Sequence, residues 1–470
     1  MKRFIIVIIL CLLSFFLSCE KSFYEYDTPS YVELKQETKS ATLAYEGRMA
    51  NCKITPKQAY EIVEKEFKDK EIKEFNVVGN ELLYIADFDN GWAIVAGDKR
   101  SDNRIIAFSD YGSFDPNKID CPEVLYWYEL TKSRLDNIDC LTEDANESIE
   151  PARGGLPNID YSQDYYWVDW KEEADTILTD RNIDHLVNTK WGQGSPWYRK
   201  CPVTSGSDTC VVGCVAVAAA QVLYYLRTEK GFPIDVNCHT SISSHQLLNG
   251  KYSIDIIRSN SVYPSSWWAG MAANMYQPGT DNVAELLVDV GDYLEMEYSP
   301  IRSSASTSDC PDVFEDHYNV YCDIENYSAN SFSHVKNSLL QGYPLIVRGG
   351  SPSGNHSWVI DGCRYTSRQI DQPYQWRMVA TDSLNYYYSI RQIRYYYTES
   401  QMNILHPDVA EGDEFHEYSS ISDINKYLRM NWGWNGSYDG GYYSFLPSDN
   451  TSYSQWLYQD YPRIVYNYSY

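Results

Sequence analysis

The hydrophobic and polar positions of this chain change period along its length. Thr55 and Pro56 stand as N-cap and first helical residue, and Ala59, Ile62, Val63 and Phe67 then recur at helical spacing. Four short segments follow, FNVVG, ELLYIADF, GWAIVAGD and RIIAFSDYG, and their patterning predicts three or four antiparallel strands. A second amphipathic helix is predicted near residues 122–138. Further on, Val215 to Leu226 is apolar throughout except for Gln221, which predicts a buried helix of about three turns. Gly213 and Cys214 stand at its mouth, so Cys214 falls in the first turn. Unpaired backbone N–H groups and the helix dipole favour negative charge there. A thiol at that place ionises more readily, and the thiolate is the nucleophile.

At 470 residues the chain is too long for one ordinary core, so two domains are expected. Its 39 basic and 65 acidic side chains give a formal charge of −26, a surface that repels nucleic acid. The 43 tyrosines, among many Ser, Asn and Gly, point to strands and long loops rather than a helical bundle. Residues 1–19 carry Lys2 and Arg3 ahead of an apolar run and predict an export signal. Leu17-Ser18-Cys19 resembles the end of a bacterial lipoprotein signal, which implies lipidation at Cys19 and a membrane anchor. The alternative is simple secretion with Cys19 unmodified. Residues 20–48 are polar and acidic and read as a tether, 49–140 as the N-terminal domain, 141–180 as a loop-like linker and 181–470 as the larger domain. The remaining cysteines are irregularly spaced with no CxxC pair, and Cys201, Cys210 and Cys214 lack nearby ligands to complete a zinc site. No metal or organic cofactor is expected.

A nucleophilic thiol needs a base, a group that orients the base, and donors for the oxyanion. Of the eight histidines, His356 stands apart. It follows a glycine-rich stretch ending in Gly354-Asn355 and opens the strand-like SWVIDG, so a turn delivers it with space for a substrate backbone. Asn431, in MNWGWNG, is a candidate to orient the imidazole, with Trp432 to shield that contact from water. Gln193, about twenty residues before Cys214, is a candidate side-chain oxyanion donor beside the Cys214 backbone N–H.

Gln, Cys, His and Asn in that order are the arrangement of papain-like cysteine peptidases. The blocks TKWGQGSPWYRKCP, GCVAVAAAQVLYY, VAELLVDVGDYLEMEYSPIRSSAS, NHSWVIDG and MNWGWNGSYDGGYY resemble the streptopain-like cysteine peptidases of bacteria. The likeness runs over about 180–445, and residues 76–115 with the helix after them resemble the inhibitory propeptide of those enzymes. The resemblance implies an α+β fold: a papain-like catalytic domain, helical around Cys214 and an antiparallel sheet around His356, behind a small α+β propeptide. It further implies Cys214 as nucleophile, His356 as general base and acid, Gln193 as oxyanion donor and Asn431 as orienting residue. Trp432, Trp434 and Gly354 would contact substrate. Ser357 departs from the family, which usually has Ala after the histidine.

The implied function is a zymogen of a secreted cysteine endopeptidase acting on proteins or peptides, held by its own propeptide and anchored to the outer membrane through Cys19. Arg153 or its neighbours would be cut on activation. A peptidoglycan-peptide amidase of the Cys-His type and a catalytically silent surface lipoprotein are the alternatives.

Overall fold

The computed structural model of the chain describes residues 52–99, 101, 103–136, 165–170, 175–326, 331–351, 354–379, 396–398, 404, 414–444 and 463–470. The expected signal, Cys19, the tether and Arg153 lie outside these residues. Helix α1 (Pro56–Glu66) begins at a capping box: Thr55 Oγ1 accepts from the Gln58 N–H at 3.3 Å, and the Gln58 side chain accepts from the Thr55 N–H at 3.0 Å. Strands β1 (Ile72–Val78), β2 (Leu83–Phe88), β3 (Trp92–Ala96) and β4 (Ile105–Ser109) follow as an antiparallel meander. Almost every residue of β2 to β4 is buried, because the meander is covered on both faces. Ala59 and Val63 of α1 cluster with Tyr84, Ala86, Val95 and Phe108 on one face. Val124, Trp127 and Tyr128 of α2 (Pro122–Asp136) cluster with Leu83, Ile85 and Ile94 on the other.

Strands β5 (Tyr165–Trp170) and β6 (Asp175–Ile183) correct the expected linker, whose last part is not loop. The YYWVDW and DTILTDRNI segments are rich in aromatic and β-branched residues, and each pairs with one very long strand met below. Helix α3 (Cys214–Thr228) is buried from Val215 to Leu226 with only Tyr224 partly open, as its composition predicts. A protruding hairpin, β7 (Asn237–Gln246) and β8 (Tyr252–Val262), precedes α4 (Thr280–Tyr293), which packs on α3. Next come α5 (Cys310–Tyr318), β9 (Tyr321–Asn326), α6 (Phe332–Leu340), β10 (Leu345–Ser351) and β11 (Gly354–Val379). Strands β12 (Tyr396–Thr398), β13 (Glu414–Tyr418), β14 (Ser422–Asn431), β15 (Gly441–Ser444) and β16 (Arg463–Ser469) complete the described chain.

The result is α+β, with helices on one side of a cleft and an antiparallel sheet on the other. The sheet runs β1-β2-β3-β4-β15-β14-β11-β10-β16-β9, so the N-terminal meander and the larger domain share it. The join is β4 against β15, with Gly441, Tyr442 and Tyr443 opposite Ser109, Phe108 and Ala107. Phe108 and Tyr442 stack across it at 5.0 Å. Beneath the join, Trp127 of α2 meets Tyr443 edge-on at 5.0 Å and shares a core with Trp358, Met430 and Trp432.

Asp361 on β11 is fully buried and ion-paired with Arg429 on β14, itself 9% exposed. A buried carboxylate stripped of its partner is far more costly than the intact pair is stabilising. Arg429→Leu should therefore lower stability by about 3–5 kcal/mol, read as a fall in the urea midpoint. The double change Asp361→Leu with Arg429→Leu should recover most of the loss.

Candidate active site

Gly213 turns the chain into α3 at φ 96°, and a Cβ on it would lie 2.7 Å from Met296 Sδ, so only glycine fits. The turn makes Cys214 the first residue of the helix, partly open to the cleft while the residues behind it are buried. Across the cleft, β10 and β11 form a tight hairpin that sets His356 opposite Gly349. His356 is buried, and its ring lies nearly parallel to Trp358 at 5.8 Å and tilted by 29° to Trp434 at 6.5 Å. Its Nε2 lies 3.0 Å from the Trp432 carbonyl oxygen, an acceptor that requires the proton on Nε2. That leaves the other ring nitrogen for the thiol.

Burial pushes the Cys214 thiol up, but the hydrogen bond and charge of His356 and the Ser357 backbone N–H outweigh it. The net position is below an ordinary thiol, with Glu123 acting against the trend. Burial likewise disfavours the His356 cation. Glu123, the Cys214 hydrogen bond and charge, and the Trp432 carbonyl overcome this and raise the imidazole to about 9. Each partner is shifted toward its ion, which is the thiolate–imidazolium state.

Glu123 comes from the N-terminal module. It stands in the first turn of α2, and its Oε1 reaches His356 Nδ1 at 3.3 Å. The cleft, of about 1070 Å³, is lined by Glu123, Gln193, Cys214, Ser303, His356 and Trp434 among others. The module that shares the sheet therefore also sends a carboxylate into the space beside the thiol. Nothing in the residue pattern singled Glu123 out, since an acidic residue near a helix start is ordinary.

Gln193 is partly exposed on the cleft wall, and its carbonyl accepts from the Val212 N–H at 2.9 Å, which ties its loop to the approach of Cys214. Trp434 is held against the same loop by a bridge between Gly192 and Trp434. Gly354 opens β11 opposite Ser351, and its neighbour Asn355 lines the cleft. Two expectations need correction. Trp432 is fully buried against Trp358 and Tyr443 and forms no substrate wall; its bulky side chain joins the core beneath the join. Asn431 does not bond the imidazole directly. Its Nδ2 donates to the Thr189 carbonyl at 2.8 Å, while its Oδ1 accepts from Gln221 Nε2 at 3.3 Å and from the Gly433 N–H at 3.2 Å. The acceptor that meets His356 is the next residue's backbone, a role that residue identities do not reveal. Asp439 grips the same strand end, its Oδ1 accepting from the Trp432 N–H at 2.7 Å, with burial raising its carboxyl to about 8. Among the described residues no three His, Cys, Asp or Glu side chains gather as a metal set.

The geometry can host nucleophilic acyl transfer. The Peptidase C10 family matches residues 191–443, and the Spi protease inhibitor family matches residues 37–135. Streptopain of Streptococcus pyogenes is 23% identical over 360 residues, covering 71% of this chain and 80% of its own. A solved prointerpain A fragment from Prevotella intermedia is 18% identical, covering 84% of this chain and 98% of that one at a TM-score of 0.49. Active interpain A of the same organism is 22% identical over 60% of this chain and 94% of its own, at a TM-score of 0.37. The match to residues 191–443 takes in the helix of Cys214, the strand of His356 and the turn of Trp432; the chain belongs to the Peptidase C10 family and is a cysteine-type endopeptidase made as a zymogen with its own inhibitory propeptide.

Proposed function

We propose that Cys214 is the nucleophile and His356 the general base and acid of this peptidase. The observation that carries the assignment is geometric: Cys214 at the start of α3 and His356 on β11 line one cleft, with His356 Nε2 committed to the Trp432 carbonyl and the other ring nitrogen left for the thiol. The Cys214 thiolate attacks the scissile carbonyl, and the oxyanion forms against the Gln193 side chain and the Cys214 backbone N–H. His356 then gives its proton to the leaving amine, and water clears the acyl-enzyme. Trp434, stacked on the imidazole and lining the cleft, keeps water from it and contacts the substrate. The Peptidase C10 match over residues 191–443 and the Spi protease inhibitor match over residues 37–135 favour this reading over a peptidoglycan amidase.

Latency follows from Glu123. Its carboxylate takes the Nδ1 side of His356, where the thiolate and then the substrate leaving group must be served. The chain is further proposed to be exported and lipidated at Cys19, then cut near Arg153; Leu17-Ser18-Cys19 and the basic start of the sequence support the anchor.

Cys214→Ser should leave the full-length chain uncut and silent on casein under reducing conditions, while the wild type shortens by about the mass of the propeptide. Casein cleavage by that variant would refute the nucleophile. Because His356 is raised above its unfolded value, its pairing contributes stability to the folded zymogen that is fully present below about 6.5 and lost as pH rises through about 9. In the Cys214→Ser chain, histidine NMR should therefore show His356 titrating above its ordinary range. Adding Glu123→Gln should move that midpoint down by about one unit. An unmoved midpoint would remove the carboxylate from the latch. Cys19→Ser should abolish palmitate labelling and shift the protein from membrane to soluble fractions.

A further inference from the structure

One polar side chain interrupts the apolar helix behind the nucleophile. Gln221 is completely buried, two helical turns beyond Cys214 and so on the same face of α3. A buried carboxamide is destabilising unless its hydrogen bonds are made, and here they are made to two particular residues. Thr189 Oγ1 donates to Gln221 Oε1 at 2.7 Å, and Gln221 Nε2 donates to Asn431 Oδ1 at 3.3 Å. The ring closes where Asn431 Nδ2 donates to the Thr189 carbonyl at 2.8 Å. Three segments meet in it: the loop before Gln193, the nucleophile helix, and the end of β14.

The ring touches neither the thiol nor the imidazole, yet it leads to the latter. Asn431 Oδ1 also accepts the Gly433 N–H, and that N–H and the Trp432 carbonyl belong to one planar peptide group. Holding the N–H fixes where the carbonyl points, and the carbonyl meets His356 Nε2 at 3.0 Å. Without Gln221, the Asn431 amide is held by two hydrogen bonds instead of three, to the Thr189 carbonyl and the Gly433 N–H, and the peptide plane is anchored less firmly.

We infer that Gln221, with Thr189, is a positioning residue of the peptidase: through Asn431 and the Trp432–Gly433 peptide it fixes the orientation and tautomer of His356 relative to Cys214 on its own helix. The inference rests on the assignment of Cys214 and His356 made above. It gives the lone polar interruption of the buried Val215–Leu226 run a part in catalysis that packing alone does not require, since Met or Leu would fill the same space.

The test uses the full chain after it has activated. Gln221→Met keeps the volume and removes both hydrogen bonds. It should lower kcat on a peptide substrate by tenfold or more with KM within about twofold. The pH midpoint for iodoacetamide alkylation of Cys214 should rise, because a misdirected imidazole no longer holds the thiolate. Thr189→Val, which removes only the hydroxyl, should move both readouts the same way and less. Gln221→Glu, protonated in its buried site, can donate to Asn431 and should recover activity at acid pH but not at alkaline pH. If Gln221→Met folds and both kcat and the alkylation profile stay within twofold of wild type, the inference is wrong. It is also wrong if Gln221→Met and Thr189→Val lower thermal stability alone. A Cys214→Ser enzyme that still cleaved peptide would instead overturn the underlying assignment, whatever the Gln221 variants did.

Discussion

The hydrogen bond between His356 Nε2 and the Trp432 carbonyl is the contact on which the rest of the site depends. A backbone oxygen accepts but does not donate or titrate, so it commits the ring proton to Nε2 at every pH at which the fold survives. The opposite nitrogen is then free for the thiol, and the pair settles as ions. A side-chain acceptor would have had to be held in one rotamer. A carbonyl has no rotamer of its own, but its direction depends on the neighbouring peptide planes. Here those planes are gripped from both sides, by Asn431 at the Gly433 N–H and by Asp439 at the Trp432 N–H.

The same strand end explains how the propeptide reaches the chemistry. β15 follows the Trp432 turn, and it is β15 that the propeptide extends with β4. Main-chain pairing of this kind supplies affinity along an open strand edge, while side chains beneath it supply fit. Trp127 provides that fit by packing on Tyr443, which also meets Trp432 and, across the join, Trp92. Glu123 is one turn away from Trp127 on α2, so apolar burial at one place delivers a charge at another. Scission of the connecting chain alone leaves this shared core intact; release also requires separating it.

Much of this was legible in the residues. The first helix, the meander and α2 follow from a cap, alternation and helical spacing, all local properties. The apolar run after Gly213 marked the helix that bears Cys214, and the glycine-rich stretch marked the hairpin that bears His356. What stayed hidden depended on distant residues meeting. YYWVDW and DTILTDRNI lie in an acidic, polar stretch and become strands only because β11 is long enough to pair with both. Asn431 is the candidate that a sequence offers for the imidazole, because side chains are what a sequence displays; the actual acceptor is a carbonyl, which every residue has. Gln221 did leave a signal, a single polar residue in an apolar face, but its partners lie in segments far apart in sequence.

Glu123 acts on the two members of the pair in opposite senses, and that opposition suits it to a zymogen. Its negative charge favours the imidazolium and so raises His356, but it disfavours a second negative charge nearby and so works against the thiolate. A bound carboxylate thus keeps His356 protonated while making Cys214 less willing to ionise. It does so by competing for one nitrogen, with no need to unmake the Nε2 contact or move β11. The machinery is already assembled in the latent state, and departure of α2 removes one charge from a site whose own two ions then have only each other.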